Sequence, residues 1–189
     1  MKIWLTADSH LGHTNILKYC PRPFSSVEEM DVALINNINS VVQSDDTLYH
    51  LGDFTFGIQK VKFYRDQIKC QNIVLVRGNH DPHKKNGEPH HVLLDNFQAV
   101  HDLYRLRANH NGKELRIILC HYAMRTWNGS HNGSMHLFGH SHGSMPDDPR
   151  SLSCDVGVDC HNYMPIDIET IEQIMSKKKF VPVDHHIAE

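Results

Sequence analysis

Apolar residues in the first eighty positions form three short clusters that predict buried strands. These clusters lie at Lys2–Ala7, Thr47–Leu51 and Ile73–Val76, where apolar side chains alternate or follow one another directly. Each cluster ends in polar residues or glycine, which is typical of a strand that enters a loop. The second half of the chain adds a different pattern.

Helical periodicity fills the intervals between these strands. Ser26 and Glu29 have the spacing of a capping box, and the apolar positions that follow recur at helical spacing as far as about Ser44. A second helix is predicted at about 58–69. This alternation of strands and helices favours parallel strands joined by right-handed crossovers.

The second half of the chain reads as a hairpin followed by further strands. Val100–Ala108 and Leu115–His121 flank Asn111-Gly112, a dipeptide that strongly favours a two-residue turn between antiparallel strands. Further strands are predicted at Met135–Phe138 and Leu152–Val156. Parallel and antiparallel pairs together predict an α/β fold with mixed sheets.

The end of the sequence predicts one more helix and no further domain. Pro165 precedes a helical segment that runs to about Ser176, and His185 and His186 beyond it read as tail residues. We found no linker or repeat, so residues 1–189 are expected to form a single domain.

Composition narrows the class of protein. The formal charge of −3 predicts no general attraction to nucleic acid or anionic membranes, and no apolar run is long enough for a membrane span. The N-terminal apolar segment is too short for a signal peptide. Five scattered cysteines without a CxxC pair favour reduced thiols and a cytoplasmic location.

Histidine is the one outlier in composition, with 17 copies. Many of the metal-capable side chains directly follow a predicted strand. They are Asp8, His10, Asp53, Asn79, His80, Asp81, His121, His140 and His142. Because ligands bind outside the carboxyl ends of strands in open α/β folds, we expect these side chains to meet at one edge.

The residue types indicate the kind of site. Oxygen and imidazole ligands without thiolates suit manganese, iron, zinc, cobalt or nickel. Seven of these side chains are candidate ligands: two aspartates (Asp8 and Asp53), one asparagine (Asn79) and four histidines (His10, His121, His140 and His142). Seven ligands are too many for one tetrahedral ion. They suit two ions about 3.5–4 Å apart that share a carboxylate.

These blocks, in this order, resemble the signature of the calcineurin-like metallophosphoesterase family. The matching segments are Asp8-x-His10, Gly52-Asp53, Gly78-Asn79-His80-Asp81, His121 and Gly139-His140-x-His142. The resemblance implies a four-layer αββα sandwich of two mixed β-sheets flanked by helices. It also implies a dinuclear centre that hydrolyses phosphate monoesters or diesters by direct attack of a water shared by the ions.

The resemblance also implies a role for each residue. One ion would take Asp8, His10, Asp53 and His142. The other would take Asp53, Asn79, His121 and His140, so that Asp53 bridges. His80 would protonate the leaving group or stabilise the transition state, or serve only as a structural partner of Asp81. Asp81 would hold the His80 ring in one tautomer. Manganese is the expected metal, with iron, zinc, nickel, cobalt or magnesium as alternatives.

Several residues have two interpretations. His13 and Asn79 are expected to contact substrate, although His13 could equally be a solvated loop residue. Arg22 could clamp phosphate or pair with a carboxylate. In the loop Ala123–Ser134, Arg125 and Trp127 could bind a nucleotide-like substrate, or Trp127 could simply be buried.

The sequence therefore predicts a metal-dependent phosphoesterase acting on a small phosphate ester. Two alternatives remain, a metal-dependent nuclease and a non-catalytic binding scaffold. No basic stripe for long nucleic acid is present in the sequence.

Overall fold

Two β-sheets packed face to face form the centre of the computed structural model, which describes residues 1–183. The strands are β1 (Ile3–Thr6), β2 (Thr47–His50), β3 (Asn72–Val76), β4 (Ala99–His101), β5 (Leu103–His110), β6 (Lys113–Cys120), β7 (Met135–Phe138), β8 (Ser153–Asp155) and β9 (Ile166–Asp167). The helices are α1 (Ile16–Tyr19), α2 (Val27–Val41), α3 (Val61–Arg65), α4 (His91–Asn96) and α5 (Ile168–Ser176).

Both sheets are mixed. The first has the strand order β4-β3-β2-β1-β9, in which β1 to β4 are parallel and β9 is antiparallel to β1. The second has the order β5-β6-β7-β8, in which only the β5–β6 pair is antiparallel. The predicted architecture of two mixed sheets flanked by helices is confirmed.

Alternation along the strands divides the core into two clusters. In β3, Ile73 and Leu75 face α2 and α3, whereas Val74 and Val76 face the second sheet. The amphipathic helix α5 joins the cluster between the sheets through Ile171. Burial of each aliphatic side chain contributes about 1.5–3 kcal/mol to the stability of the fold. The two packed sheets therefore form a stable scaffold for the loops at their edge.

Local capping fixes where α2 begins. Ser26 accepts a hydrogen bond from the Glu29 amide at 3.2 Å, as the capping pattern predicts. The Glu29 carboxylate, however, accepts from the backbone amide of Ser25 at 2.8 Å rather than from Ser26. The helix ends at Val41, before Ser44, and Asn15 makes no capping hydrogen bond at α1.

Three predicted elements differ from the observed ones, and one observed helix was not predicted. The segment predicted as one strand at Val100–Ala108 is divided between β4 in the first sheet and β5 in the second. The predicted helix at 58–69 is a 3₁₀ turn followed by the short α3. Ile166-Asp167 pairs with β1 before Asp167 caps α5, and α4 was not predicted. A change of sheet leaves no trace in periodicity, so sequence alone does not reveal it.

Within residues 1–183 the structure has no helix of the length and apolarity that crossing a bilayer requires. His185 and His186 lie outside the described residues.

Candidate metal centre

The loops that follow β1, β2, β3, β6 and β7 meet at one edge of the sandwich. Backbone hydrogen bonds join them, from the Asp8 amide to the Gly52 carbonyl at 3.0 Å and from the Gly139 amide to the His121 carbonyl at 2.9 Å. Four groups of metal-capable atoms result among the described residues, each with members within 4.8 Å of one another. Two that share no residue are Asp8, His10 and His142, and Asp53, His121 and His140. The other two are His10, Asp53 and His80, and Cys20, His142 and Asp159.

Asp53 lies between the two groups. Its Oδ2 atom is 3.4 Å from His10 Nε2 and 3.5 Å from His121 Nε2. Two donors bound at about 2.1 Å to one tetrahedral ion are about 3.4 Å apart. Asn79 Oδ1 is 3.2 Å from His121 Nε2, on the side of the second group. These spacings fit two ions with Asp53 between them.

Hydrogen bonds on the far side of the imidazoles leave lone pairs directed at the centre. His121 Nδ1 donates to the Leu51 carbonyl at 2.7 Å, so Nε2 of that ring carries no proton and can bind a metal. His142 Nδ1 is 2.7 Å from the Asp159 carboxylate, which has the same effect. Among residues 1–183, His10 Nε2 is buried without any hydrogen-bond partner. An orphaned nitrogen at this depth is costly unless a metal ion binds it.

Burial sets the charge of these side chains. It raises the pKa of the fully buried Asp8 carboxyl well above its usual value. Burial, together with the nearby His142 and Arg22, lowers the pKa of His10 to about 2. Burial also lowers the pKa of His121. An imidazole binds a metal ion in its neutral form. A cation between the carboxylates of Asp8 and Asp53 would relieve the repulsion between them.

Five of the predicted ligands have left-handed backbone conformations. The φ angles are 59° at Asp8, 50° at His10, 55° at Asp53, 68° at His140 and 48° at His142. A non-glycine residue in this region costs of order 1–3 kcal/mol, and such residues cluster at functional sites. The surrounding hydrogen bonds therefore hold the loops against strain.

Gly139 allows two loops to touch. A Cβ atom there would lie 2.7 Å from Asp8 Oδ2 and 2.6 Å from Ala7 Cβ. Because glycine has no Cβ atom, the two loops come close enough for the His140 amide to donate to the Asp8 carboxylate at 2.9 Å. Glycine at this position thus fixes Asp8 beside the histidines.

Arg22 is buried beneath the centre and does not face a substrate. Its guanidinium makes two 2.8 Å hydrogen bonds to Asp159 and donates to the carbonyls of Asp8, at 2.7 Å, and Ser9, at 3.1 Å. Asp159 also binds His142, so one carboxylate links a ligand to the residue that fixes the first loop. Sequence reasoning missed Asp159, which lies in a 3₁₀ turn and has no motif of its own.

Asp81 does not orient His80, so that prediction is wrong. Its buried carboxylate accepts hydrogen bonds from the amides of Gly78 and Asp53, each at 2.8 Å, and of Phe54 at 3.1 Å. Asp81 therefore ties the β2 and β3 loops together. The exposed His80 is held through its own amide, which donates to Asp53 Oδ1 at 2.9 Å.

The remaining predicted residues lie in different places. His13 is buried beside the centre, with Nδ1 3.3 Å from His10 Nδ1. Trp127 is buried on the outer side of the second sheet, where its ring lies 5.2 Å from that of His136 and its N–H donates to the Ser134 carbonyl. The prediction of a free stacking face on Trp127 is therefore wrong. Arg125 is exposed.

Comparisons with known proteins give the family of the chain and its similar structures. The family model of the calcineurin-like phosphoesterase superfamily domain matches residues 1–152. An uncharacterized protein of Methanocaldococcus jannaschii is 35% identical over 187 residues, covering 95% of this chain and 94% of its own. The gene 66 protein of Mycobacterium phage L5 is 27% identical over 75% of this chain and 78% of its own. The crystal structure of an Aquifex aeolicus protein of unknown function superposes with a TM-score of 0.69 at 25% identity, covering 92% of this chain and 98% of that one.

Proposed function

The chain belongs to the calcineurin-like phosphoesterase superfamily, and from that premise we propose that it hydrolyses phosphodiester or phosphomonoester bonds at a centre of two metal ions. The observation that supports this most is the position of Asp53 Oδ2, 3.4 Å and 3.5 Å from two imidazole nitrogens that belong to different ligand groups. A carboxylate placed in this way can serve both ions.

We assign the ligands by these groups. Asp8, His10 and His142 hold one ion, Asn79, His121 and His140 hold the other, and Asp53 is shared. The two ions, when bound, would activate a water molecule and neutralise charge on the phosphate oxygens. We propose manganese, because oxygen and imidazole ligands without thiolate suit it.

The protein's own part is to fix these ligands and to supply a proton. His80 is exposed, and its ring lies 5.2 Å from that of His10, at the rim of the centre. We propose that its imidazole donates a proton to the departing alkoxide. The His80 ring makes no hydrogen bond with Asp81; its backbone amide is bound to Asp53, and its ring lies against those of His10, His13 and Phe56. The five unpaired cysteines support a reducing, cytoplasmic location.

The test is reconstitution of metal-stripped protein. It should be inactive on bis-p-nitrophenyl phosphate and p-nitrophenyl phosphate and should recover with Mn²⁺. His80→Ala should keep its metals but, on an ester with an alkoxide leaving group, lose about 10²–10⁴-fold in turnover, the usual contribution of a general acid. The loss should be much smaller on the p-nitrophenyl esters, because p-nitrophenolate departs without a proton. His110→Ala is the matched control, because His110 lies on the β5–β6 hairpin and pairs with Glu172. No recovery with any divalent ion would refute the proposed activity.

A further inference from the structure

Two exposed aromatic side chains lie beside exposed histidines at the rim of the candidate metal centre, and a third, Tyr19, lies farther out against His13. Phe56 is 47% exposed and Tyr122 is 46% exposed. The Phe56 ring is 6.0 Å from the ring of His80, and the Tyr122 ring is 4.8 Å from that of His140. Each therefore adjoins a histidine of a different part of the centre.

Both rings are held in place rather than loosely attached. Phe56 stacks on the buried His13 with ring centroids 4.2 Å apart and planes 11° apart, and its amide donates to the Leu11 carbonyl at 2.9 Å. Tyr122 packs edge-on against both His121, at 5.0 Å, and His140. An isolated exposed aromatic residue is ordinary on a protein surface. Two exposed rings that are both fixed beside the same polar centre suggest a role in binding.

The nearby cations are already engaged within the protein. Arg22 is buried against Asp159, and Lys60 donates to the Gly12 carbonyl at 3.1 Å. The rim combines the exposed rings of Phe56 and Tyr122 with the exposed imidazoles of His80 and His140. A planar group on the substrate would gain most from such a surface, because bases stack on aromatic rings irrespective of their sequence.

We propose that Phe56 and Tyr122 form a stacking subsite for a nucleobase, so that the preferred substrates are phosphate esters of nucleosides. This inference rests on the proposed phosphoesterase activity. The phosphate would lie at the metal ligands, and the base attached to it would stack on one of the two flanking rings. Arg125 and Trp127 are not needed for this recognition.

Two chromogenic diesters with the same leaving group test the proposal. Thymidine 5′-(p-nitrophenyl phosphate) and ethyl p-nitrophenyl phosphate both release p-nitrophenolate, so the ratio of their kcat/KM values reports recognition of the nucleoside. The Mn²⁺-loaded wild type should prefer the thymidine ester by at least about 5-fold. The double variant Phe56→Ala/Tyr122→Ala should bring this ratio down to about one, a loss in the range of about 5- to 150-fold expected for one stacked base. The single variant that removes the ring on which the base stacks should do the same.

Matched variants make the outcome specific. Tyr122→Phe should keep the ratio, because it retains the ring. Phe63→Ala should also keep it, because Phe63 is 63% exposed on α3 and packs only on Tyr64 among the rings described. A wild-type ratio near one, with both esters hydrolysed, would overturn the stacking subsite and leave the phosphoesterase proposal intact. Hydrolysis of neither ester with any divalent ion would instead overturn the proposed function. An unchanged ratio in the double variant would remove these two residues from recognition.

Discussion

Replacing Asp159 by asparagine should weaken the fold and the metal centre together. This carboxylate is 10% exposed, and it accepts two hydrogen bonds from Arg22, whose side chain is fully buried, and one from His142. Burial alone would raise the pKa of Asp159, but the bonds from His142 and Arg22 outweigh it and lower the pKa. Asparagine keeps the shape and removes the charge.

The magnitude has two parts. Removing one partner of a buried ion pair costs about 3–5 kcal/mol, because the guanidinium of Arg22 is left without its counter-charge. Loss of the carboxylate that orients a metal-binding histidine typically costs about 10–100-fold in metal affinity. Arg22 also holds the carbonyls of Asp8 and Ser9, so a shift of its side chain would loosen the strained loop that carries two ligands.

Urea denaturation of metal-stripped protein measures the first part, and competition with a chelating dye measures the second. Asp66→Asn is the control, since its pair with Lys62 is exposed and should be worth about 0.5 kcal/mol or less. If Asp159→Asn unfolds within about 1 kcal/mol of wild type and binds Mn²⁺ equally well, the role assigned to this residue is refuted.

Two further substitutions probe other parts of the account. Gly139→Ala should lower metal affinity, and overpacking against Asp8 should also lower stability by about 1–3 kcal/mol. Gly133→Ala is the control. It has open space around it, so it should cost only about 1–2 kcal/mol of backbone strain. Equal metal affinity in the two variants would contradict the close approach at Gly139. Burial lowers the pKa of His136 from 6.5, so the unfolded chain binds more protons below that pH, and the stabilisation present above pH 6.5 is lost as the pH falls. His136→Gln should therefore flatten the decline in unfolding free energy between pH 6.5 and 5 by up to about 1.4 kcal/mol per pH unit, and an unchanged slope in urea titrations would contradict it.

The position of the site could be predicted because it depends on local pattern. Residues such as Asp8, Asp53 and His121 directly follow apolar strands, and parallel strands of one sheet end at the same edge. A short strand cluster and the polar residue after it lie within one window of sequence. Convergence of the candidate ligands within each sheet therefore required no knowledge of long-range contacts, whereas the approach of His121 to Asp53 depends on how the two sheets pack.

The surroundings of the site could not be predicted in the same way. Asp159 reaches His142 and Arg22 only because the 3₁₀ turn after β8 folds back under the first loop, and the Arg22–Asp159 contact spans 137 residues. Its position beside His80 in the sequence predicted that Asp81 would pair with that residue. Its carboxylate instead accepts hydrogen bonds from three backbone amides, because buried amides in these loops need acceptors. Trp127 was ambiguous because periodicity gives no information about which residues cover the outside of a sheet.

The metal content of wild type and Asp53→Asn tests the central claim most directly. Purified protein equilibrated with Mn²⁺ and freed of excess ion should hold two ions per chain by mass spectrometric metal analysis. Asp53→Asn should lose affinity for both, because the Asp53 carboxylate lies between the two ligand groups. A wild type that binds a single ion, or a variant that retains both with unchanged affinity, would contradict the dinuclear centre.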